Sequence, residues 1–300
     1  MKHIVPSYFI QPQHAITVNL IGCGGTGSLL LTKLAQIHHA LQAGGLGLGQ
    51  HLGLHVRAFD GDNVEASNVG RQGFFPADIG QNKAVVLMSR INRAYGLGWD
   101  AYGTMYNKGC IAMGLHKANI TITCVDSVKA REEVRDMLKT AKKDEHSFEK
   151  QWYWLDLGNS KTVGQAILGT ILQVKQPKGS TDCVSKLPNV FEVFPDLKKH
   201  ETQEEQGPSC SVAESLNTQD LCINSMLAEW GKKLIWNIFR QMRLENHGVF
   251  VNLDQMIVNP LPIKENVRIQ HRKNKSQNRS TQASKGRSAK KSKPTRRRKA

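Results

Sequence analysis

Four glycines are grouped in a short stretch near the start of the chain. The sequence VNLIGCGGTGSLLLTKL contains Gly22, Gly24, Gly25 and Gly27 between an apolar run and a leucine-rich helical pattern. Glycine allows backbone N–H groups to approach a phosphate closely, and a helix beginning near Thr26 would direct its positive end at that phosphate. The same cluster is also typical of a turn that only packs a strand on a helix, so by itself it predicts an anion site and no particular ligand.

A carboxylate follows the next predicted strand, LHVRAFD, which ends at Asp60. An acid at the end of a strand can accept hydrogen bonds from both ribose hydroxyls, and in NAD proteins it comes roughly 20 residues after the glycines. Here it comes 38 residues after Gly22, because the intervening helix and the glycine-rich connection are long. We interpret Asp60 as a ribose-binding acid, with an ordinary loop acid as the alternative.

A second group of polar residues follows in one loop and the helix after it: Asp62, Asn68, Arg71 and Lys83. Arginine offers a planar pair of donors to phosphate oxygens and lysine a point charge. Asp126, at the end of a later predicted strand, could hold Mg²⁺ bridging those phosphates. A dehydrogenase has no use for these cations, so the set predicts a triphosphate site, although either cation alone could be a solvated surface charge.

The elements that must position these residues alternate between strands and helices. Apolar and β-branched runs predict strands at 15–21, 54–60, 99–104, 119–126, 152–159 and 165–174, and a closing hairpin at 248–258. Helical spacing predicts helices starting near residue 26, at 83–93, at 128–139 and from residue 220. This order predicts an α/β fold: a Rossmann-like, mostly parallel sheet with helices on both faces and antiparallel strands at the C-terminal end.

The distribution of apolar and charged residues predicts one folded domain and a tail. Residues 1–263 carry the apolar periodicity, with a polar, irregular crossover at 175–209, and we expect Pro260 and Pro262 to end the fold. Residues 264–300 are predicted to be disordered and polybasic, since thirteen of the 41 Lys and Arg, and no acid, lie in the last thirty positions. Lacking aromatic residues, the tail would attract nucleic acid without reading bases, or it would only aid solubility.

The remaining composition limits the class of protein. No stretch has the length of a transmembrane helix, and no charged start is followed by an apolar signal core, so we expect a cytoplasmic protein without membrane contact. Six cysteines occur without a C-x-x-C pair, which predicts neither a zinc site nor a disulfide framework. A core large enough for an enzyme is available, since 39% of the residues are hydrophobic.

Four motifs together carry a resemblance. GCGGTGS, DGDNVEASNVGRQ, IGQNK and CVDS, in this order, resemble the ThiF/MoeB/HesA superfamily of ubiquitin-activating-enzyme-like adenylyltransferases over about residues 15–260. The resemblance implies MgATP-dependent adenylation of the C-terminal Gly-Gly carboxylate of a ubiquitin-like protein. By position, Asp60 matches the ribose acid, Asn68, Arg71 and Lys83 the phosphate-side residues, and Asp126 the magnesium acid. In its short, single-domain organisation and its basic tail, the chain is similar to the ThiF-like proteins of plasmid PRTRC systems.

The resemblance also implies a second chemical step and a homodimer. A cysteine placed like Cys210, ahead of the long C-terminal helix, can receive the activated acyl group in this superfamily, and a nearby helix N-terminus favours thiolate. Cys183 is the alternative nucleophile, and an inert loop cysteine is the plain interpretation. The superfamily's frequent zinc site is absent, and the N-terminal arginine that some relatives supply across a dimer is missing, since residues 1–20 contain only Lys2.

Other functions stay open at this point. The same fold could adenylate a tRNA-linked carboxylate, as in the dehydratase branch of the superfamily. The chain could be a non-catalytic, DNA-associated scaffold with a vestigial nucleotide pocket. A nicotinamide oxidoreductase is the least economical hypothesis, because Arg71, Lys83 and Asp126 have no part in it.

Overall fold

The computed structural model describes residues 1–44, 51–142, 146, 148–197 and 219–265. Contacts divide the chain into the units Met1–Ile263 and Lys264–Ala300, and only Lys264 and Glu265 of the second unit are described. The strands are β1 (His3–Ile4), β2 (Ile16–Ile21), β3 (Leu54–Phe59), β4 (Asp100–Tyr102), β5 (Ile120–Thr123), β6 (Tyr153–Asn159), β7 (Val163–Thr170), β8 (Arg243–Leu244), β9 (Asn246–Asn252) and β10 (Ile257–Pro262). Within the described residues, the helices of four or more residues are α1 (Gly25–Gln42), α2 (Lys83–Tyr95), α3 (Gly109–Ala112), α4 (Val128–Leu138), α5 (Val190–Val193) and α6 (Ile223–Arg240).

The main sheet has eight strands in the order β10-β9-β7-β6-β5-β2-β3-β4. β4, β3, β2, β5 and β6 are parallel, while β7, β9 and β10 pair antiparallel at the other end. β1 and β8 form a separate two-stranded sheet. This arrangement confirms the predicted α/β, Rossmann-like class with C-terminal antiparallel strands.

Helices cover both faces of the sheet because its central strands are apolar on both faces. Along β2, Leu20 packs in a cluster with α1, α2 and α6, and its neighbour Ile21 packs in a second cluster with α3, α4 and α5. Successive side chains of a strand point to opposite faces, so the two clusters lie on opposite sides of the sheet. Such burial on both sides explains why the parallel strands read as continuous apolar runs.

Most predicted elements occur with boundaries shifted by a few residues. Two boundaries near the chain's end differ from the prediction: the C-terminal helix begins at Ile223, later than residue 220, and the closing hairpin continues past residue 258 to Pro262. Pro260 lies inside β10, the outermost strand of the sheet, and Pro262 is the last residue of that strand. An edge strand tolerates proline because half of its N–H groups face away from the neighbouring strand, and alternate positions share that side.

The crossover also contains a short helix, α5. Among the described residues, no helix is long and apolar enough to cross a membrane.

A buried histidine ties the N-terminal strand to the main sheet. The His3 ring is fully buried, and its Nδ1 lies 2.8 Å from the Val184 carbonyl oxygen, which can only accept. Nδ1 therefore carries the proton, and the Tyr153 hydroxyl donates to Nε2 across 2.9 Å. Burial lowers the pKa of His3 from 6.5 to about 4, and the nearby His247 acts in the same direction. The neutral ring is thus part of the folded state.

We expect the free energy of unfolding to fall as the pH drops from about 6.5 toward about 4. In this range the unfolded chain binds a proton at His3 that the folded chain excludes, so acid favours unfolding by about 3 kcal/mol in total at this residue. Denaturant unfolding at several pH values should show a smaller loss in His3→Gln than in the wild type. His14→Gln, at an exposed ring, is the control. Equal pH slopes in His3→Gln and the wild type would contradict the role of His3.

Candidate functional site

One cavity of about 360 Å³ lies at the carboxyl ends of β2, β3 and β5. Parallel strands end together at one edge, so the polar residues that follow them meet there. The predicted site residues that line this cavity are Gly22, Gly24, Gly25, Asp60, Asp62, Arg71, Lys83 and Asp126. Gly27 and Asn68 are outside the lining, and Cys210 lies outside the described residues.

The glycines are required mainly by close packing of the backbone. Gly22 has a φ of +90°, and a Cβ there would lie 2.7 Å from the carbonyl oxygen of Cys124. A Cβ on Gly27 would lie 1.9 Å from the carbonyl oxygen of Gly22. A Cβ on Gly25 would meet the side-chain amide of Asn224 at 2.5 Å, whereas Gly24 has space around it. The structure therefore explains three of the glycines without a ligand and leaves Gly24 facing open space at the start of α1.

Asp60 is held in place by backbone amides. Its Oδ2 accepts from the Cys23 N–H at 2.6 Å and its Oδ1 from the Asp62 N–H at 2.9 Å. Burial raises the pKa of the Asp60 carboxyl, while these two hydrogen bonds and the charge of Lys83 act in the opposite direction. A carboxylate has about four acceptor positions. Capacity for further donors therefore remains on the side that lines the cavity.

Lys83 already has an ionic partner. It is the first residue of α2, a helix capped by Asn82, whose side-chain oxygen accepts from the Val85 N–H. Lys83 Nζ lies 3.1 Å from Asp62 Oδ2, and its side chain is largely buried while that of Asp62 is half exposed. A phosphate at this position would compete with Asp62 for the ammonium group. Asp62 is thus placed to hold Lys83 at the cavity.

Arg71 differs from Lys83 because no described carboxylate lies within ion-pairing distance of it. Its Nη1 donates to Gln219 Oε1 at 2.5 Å, and its buried Nε has no hydrogen-bond partner among the described residues. Burial lowers the pKa of the Arg71 guanidinium, with no charged neighbour contributing. Burying part of a cation without an anion is unfavourable. The arrangement is therefore suited to an anion that enters the cavity.

Asn68 supports the loop that carries Arg71. Its side-chain oxygen accepts from the Glu65 N–H at 2.9 Å, and its carbonyl accepts from the Gln72 N–H at 3.0 Å. These contacts hold a short 3₁₀ turn at residues 66–68 in front of Arg71. The side-chain oxygen of Asn68 thus shapes the turn, and its phosphate contact stays a prediction.

Asp126 lies at the rim of the cavity, directly before α4. Ser127 caps that helix by accepting from the Ala130 N–H at 3.2 Å, and Asp126 immediately precedes this cap. The Asp126 side chain is exposed. Mg²⁺ is usually held by one or two carboxylates together with substrate phosphates, so this single acid fits such an ion. Within the described ranges, no group of three or more His, Cys, Asp or Glu is placed to hold a metal.

Sequence reasoning missed several polar residues that line the cavity. Gln72 follows Arg71 in the same motif, and its buried Oε1 has no partner among the described residues. The others are Thr26, Ser127, Glu133, Asn159, Gln219 and Asn224. The position of Gln72 beside Arg71 was a usable signal. Nothing local marks Gln219 or Asn224, because they reach the cavity from a distant part of the chain.

The cysteines fall into different environments. Cys23 is buried and Cys124 is half-buried, and burial raises the pKa of both thiols, so neither is a thiolate at neutral pH. Cys183 lies beside β1, where its backbone forms an isolated β-bridge with Lys2, and it does not line the cavity. Cys222 is exposed at the start of α6, between the lining residues Gln219 and Asn224. The alternative nucleophile Cys183 is thus separate from the site, and Cys222 is a thiol that sequence reasoning did not select.

A buried ion pair supports the strands beneath the cavity. Arg131 Nε lies 3.0 Å from Asp156 Oδ1, and both side chains are at least nine-tenths buried. The Thr123 hydroxyl donates to the same carboxylate oxygen at 2.6 Å, and Trp154 Nε1 donates to Thr123 Oγ1. These contacts join α4 to the last residue of β5 and to the middle of β6, and Asp126 lies in the connection between β5 and α4.

We expect Asp156→Ala to reduce the free energy of unfolding by about 3–5 kcal/mol, because it leaves the Arg131 charge buried without a partner. The double variant Arg131→Met/Asp156→Leu should lose much less, since it removes both charges. Denaturant unfolding measures both changes, and Asp136→Ala in an exposed pair is the control. A double variant as unstable as Asp156→Ala would contradict this explanation.

Comparison with known proteins agrees with this fold. No curated protein sequence matches the chain significantly. The structure of E. coli MccB with ATP has a TM-score of 0.53 at 12% identity, covering 87% of this chain and 67% of that one. MccB with MccA, at 14% identity, gives the same TM-score and coverage. PaaA has a TM-score of 0.52 at 13% identity over 86% of this chain and 67% of its own. At such low sequence identity, the structural similarity shows a shared fold alone. The ThiF family model matches residues 10–278, and the chain therefore belongs to the ThiF family.

Proposed function

We propose that this protein is a MgATP-dependent adenylyltransferase that activates the C-terminal carboxylate of a small ubiquitin-like protein. The observation that carries the proposal is Arg71, a half-buried guanidinium without a described anionic partner, in one cavity with the glycine turn, Asp60 and Asp126. A triphosphate supplies the missing negative charge. Membership of the ThiF family and the likeness to a structure of MccB with ATP support this nucleotide.

The residues of the cavity suit the separate parts of ATP. The start of α1 and Arg71 would hold phosphates, Asp60 would accept from the ribose hydroxyls, and Phe59 and Tyr106 form an apolar part of the lining that suits a base. Asp126 would hold Mg²⁺, which when bound would supply charge neutralisation at the phosphates.

The reaction requires two anions to approach each other. A carboxylate oxygen of the partner attacks the α-phosphorus of ATP, the bond from that phosphorus to the bridging oxygen breaks, and pyrophosphate leaves. Arg71 and Lys83 offset the repulsion and stabilise the charge that develops on the departing group. No general base is needed because the attacking carboxylate is already ionised. Positioning by the cavity then provides most of the catalysis.

Further parts of the proposal concern the partner and the assembly. MccB is a fold neighbour that has been crystallised with MccA as well as with ATP, which supports a cavity that serves a nucleotide and a second molecule. We extend the proposal to an adenylating domain at residues 1–263, a homodimer and a relationship to the ThiF-like proteins of PRTRC systems. Transfer of the acyl group to Cys210 is the proposed second step.

Arg71→Ala and Asp126→Ala should abolish partner-dependent ATP–pyrophosphate exchange while leaving the fold intact. The reason is that each removes a charge proposed to act on the phosphates, and Arg71 makes only one described hydrogen bond. Exchange is measured with candidate small proteins ending in Gly-Gly, and circular dichroism reports the fold. Arg240→Ala, an exposed arginine at the end of α6, is the matched control. Exchange at the wild-type rate in Arg71→Ala would overturn the proposed site, and tRNA-dependent exchange would select the alternative substrate.

Cys210→Ala should leave exchange unchanged and remove any thioester to the partner, because adenylation precedes acyl transfer. Cys183→Ala and Cys222→Ala serve as comparison variants, one remote from the cavity and one beside it. The adduct is followed by non-reducing electrophoresis with and without thiol reductant. A reducible adduct that persists in Cys210→Ala and disappears in Cys222→Ala would transfer the role to Cys222.

A further inference from the structure

Arg71 is connected to the glycine turn through two side-chain amides. Gln219 Oε1 accepts from Arg71 Nη1 at 2.5 Å and from Asn224 Nδ2 at 3.0 Å. Asn224 Oδ1 accepts from the Thr26 hydroxyl at 3.0 Å. We call this chain of contacts the amide relay: Thr26, Asn224, Gln219 and Arg71. It joins the first turn of α1 to the first turn of α6 and to the loop after β3.

The chemistry of the donors determines how both amides are oriented. A guanidinium can only donate, so Gln219 must present its oxygen to Arg71. Asn224 shares that oxygen and therefore presents its nitrogen, which leaves its own oxygen for Thr26. Reversing Gln219 would place its nitrogen against two donors, and reversing Asn224 would place its oxygen against the oxygen of Gln219. The relay thus has one arrangement in which each of these polar atoms is satisfied.

Asn224 is the rigid member of the relay. The residue is 1% exposed, and its amide packs so closely against Gly25 that a Cβ on that glycine would lie only 2.5 Å from it. Close packing of this kind leaves the side chain no room to rotate. Arg71, by contrast, has a long side chain whose rotamer freedom would have to be lost when an anion binds. The relay removes part of that freedom in advance.

We propose that Gln219 and Asn224 are positioning residues that set the guanidinium of Arg71 relative to the glycine turn before nucleotide binds. This rests on the proposed function for the identity of the nucleotide. Neither residue has to touch the reacting atoms for this role. Because Gln219 lies four residues before Ile223, the first residue of α6, the position of Arg71 depends on how the chain enters that helix.

The direct test measures how fast phenylglyoxal modifies Arg71 in the absence of nucleotide, with peptide mass spectrometry to identify the site. Gln219→Ala should raise the modification rate several-fold because it removes the acceptor that holds Nη1. Asn224→Ala should also raise it, although Asn224 does not bond to Arg71 directly. Gln241→Ala, at the opposite end of α6, is the matched control and should leave the rate unchanged. An unchanged rate in Gln219→Ala or in Asn224→Ala would overturn the proposal.

A double-variant cycle on ATP affinity separates positioning from general structural support. Gln219→Ala should weaken ATP binding about tenfold in the wild-type background, as expected for loss of a hydrogen bond to a charged group. In an Arg71→Lys background, which lacks the planar guanidinium, the same change should have little effect. Equal losses in both backgrounds, measured by calorimetry, would show a structural role and overturn the proposal. Gln219→Glu keeps an acceptor oxygen and should restore the slow modification of Arg71.

The experiments test the amide relay and the proposed adenylation separately, so that either can be contradicted while the other stands. If the wild type binds ATP but exchanges no pyrophosphate with any partner, adenylation is wrong while the relay is still judged by modification and affinity. If exchange occurs and Arg71 reactivity does not respond to Gln219→Ala or Asn224→Ala, adenylation stands and the relay is wrong.

Discussion

The site depends on one close contact between backbones. The turn after β2 brings Gly22 against the end of β5, and Gly27 against Gly22 itself, at distances that exclude any side chain. This contact lets α1 start directly above the sheet edge, so that the free N–H groups of its first turn face the cavity. The same packing brings Asn224 against Gly25. A larger residue in the turn would displace α1, α6 and β5 from one another.

The charged side chains around the cavity differ in whether the structure already supplies them with partners. Lys83 and Asp60 have partners in the structure, since Asp62 pairs with Lys83 and backbone amides hold the carboxylate of Asp60. Arg71 has only a neutral acceptor, Gln219. A half-buried cation without an anion is costly, and this cost is relieved when an anion enters. The cavity is therefore prepared for a negatively charged ligand at the position of Arg71.

Much of the fold could be predicted because its signals are local. An apolar run in β2, a β-branched run in β5, helical spacing in α1 and α6, and acids at strand ends identify parallel strands and the edge where their ends meet. The antiparallel end was less exact, since the hairpin was predicted to stop at residue 258 and β10 continues to Pro262. Prolines argue against a strand unless that strand lies at the edge of the sheet, as β10 does. The phosphate contact of Asn68 stays a prediction, and its spacing in the motif does not reveal that its side-chain oxygen closes its own turn.

By itself, the sequence determined the order of strands and helices, the glycine turn and the presence of Asp60, Arg71, Lys83 and Asp126 near one sheet edge. Spacing and periodicity are properties of neighbouring residues, and they can be read without knowing the fold. Only the tertiary structure decided which partners these residues have. Gln219 is 148 positions from Arg71, and Asn224 is 198 from Thr26. Contacts over such separations depend on how α6 packs against α1, because hydrogen bonds form only when folding brings both groups within reach.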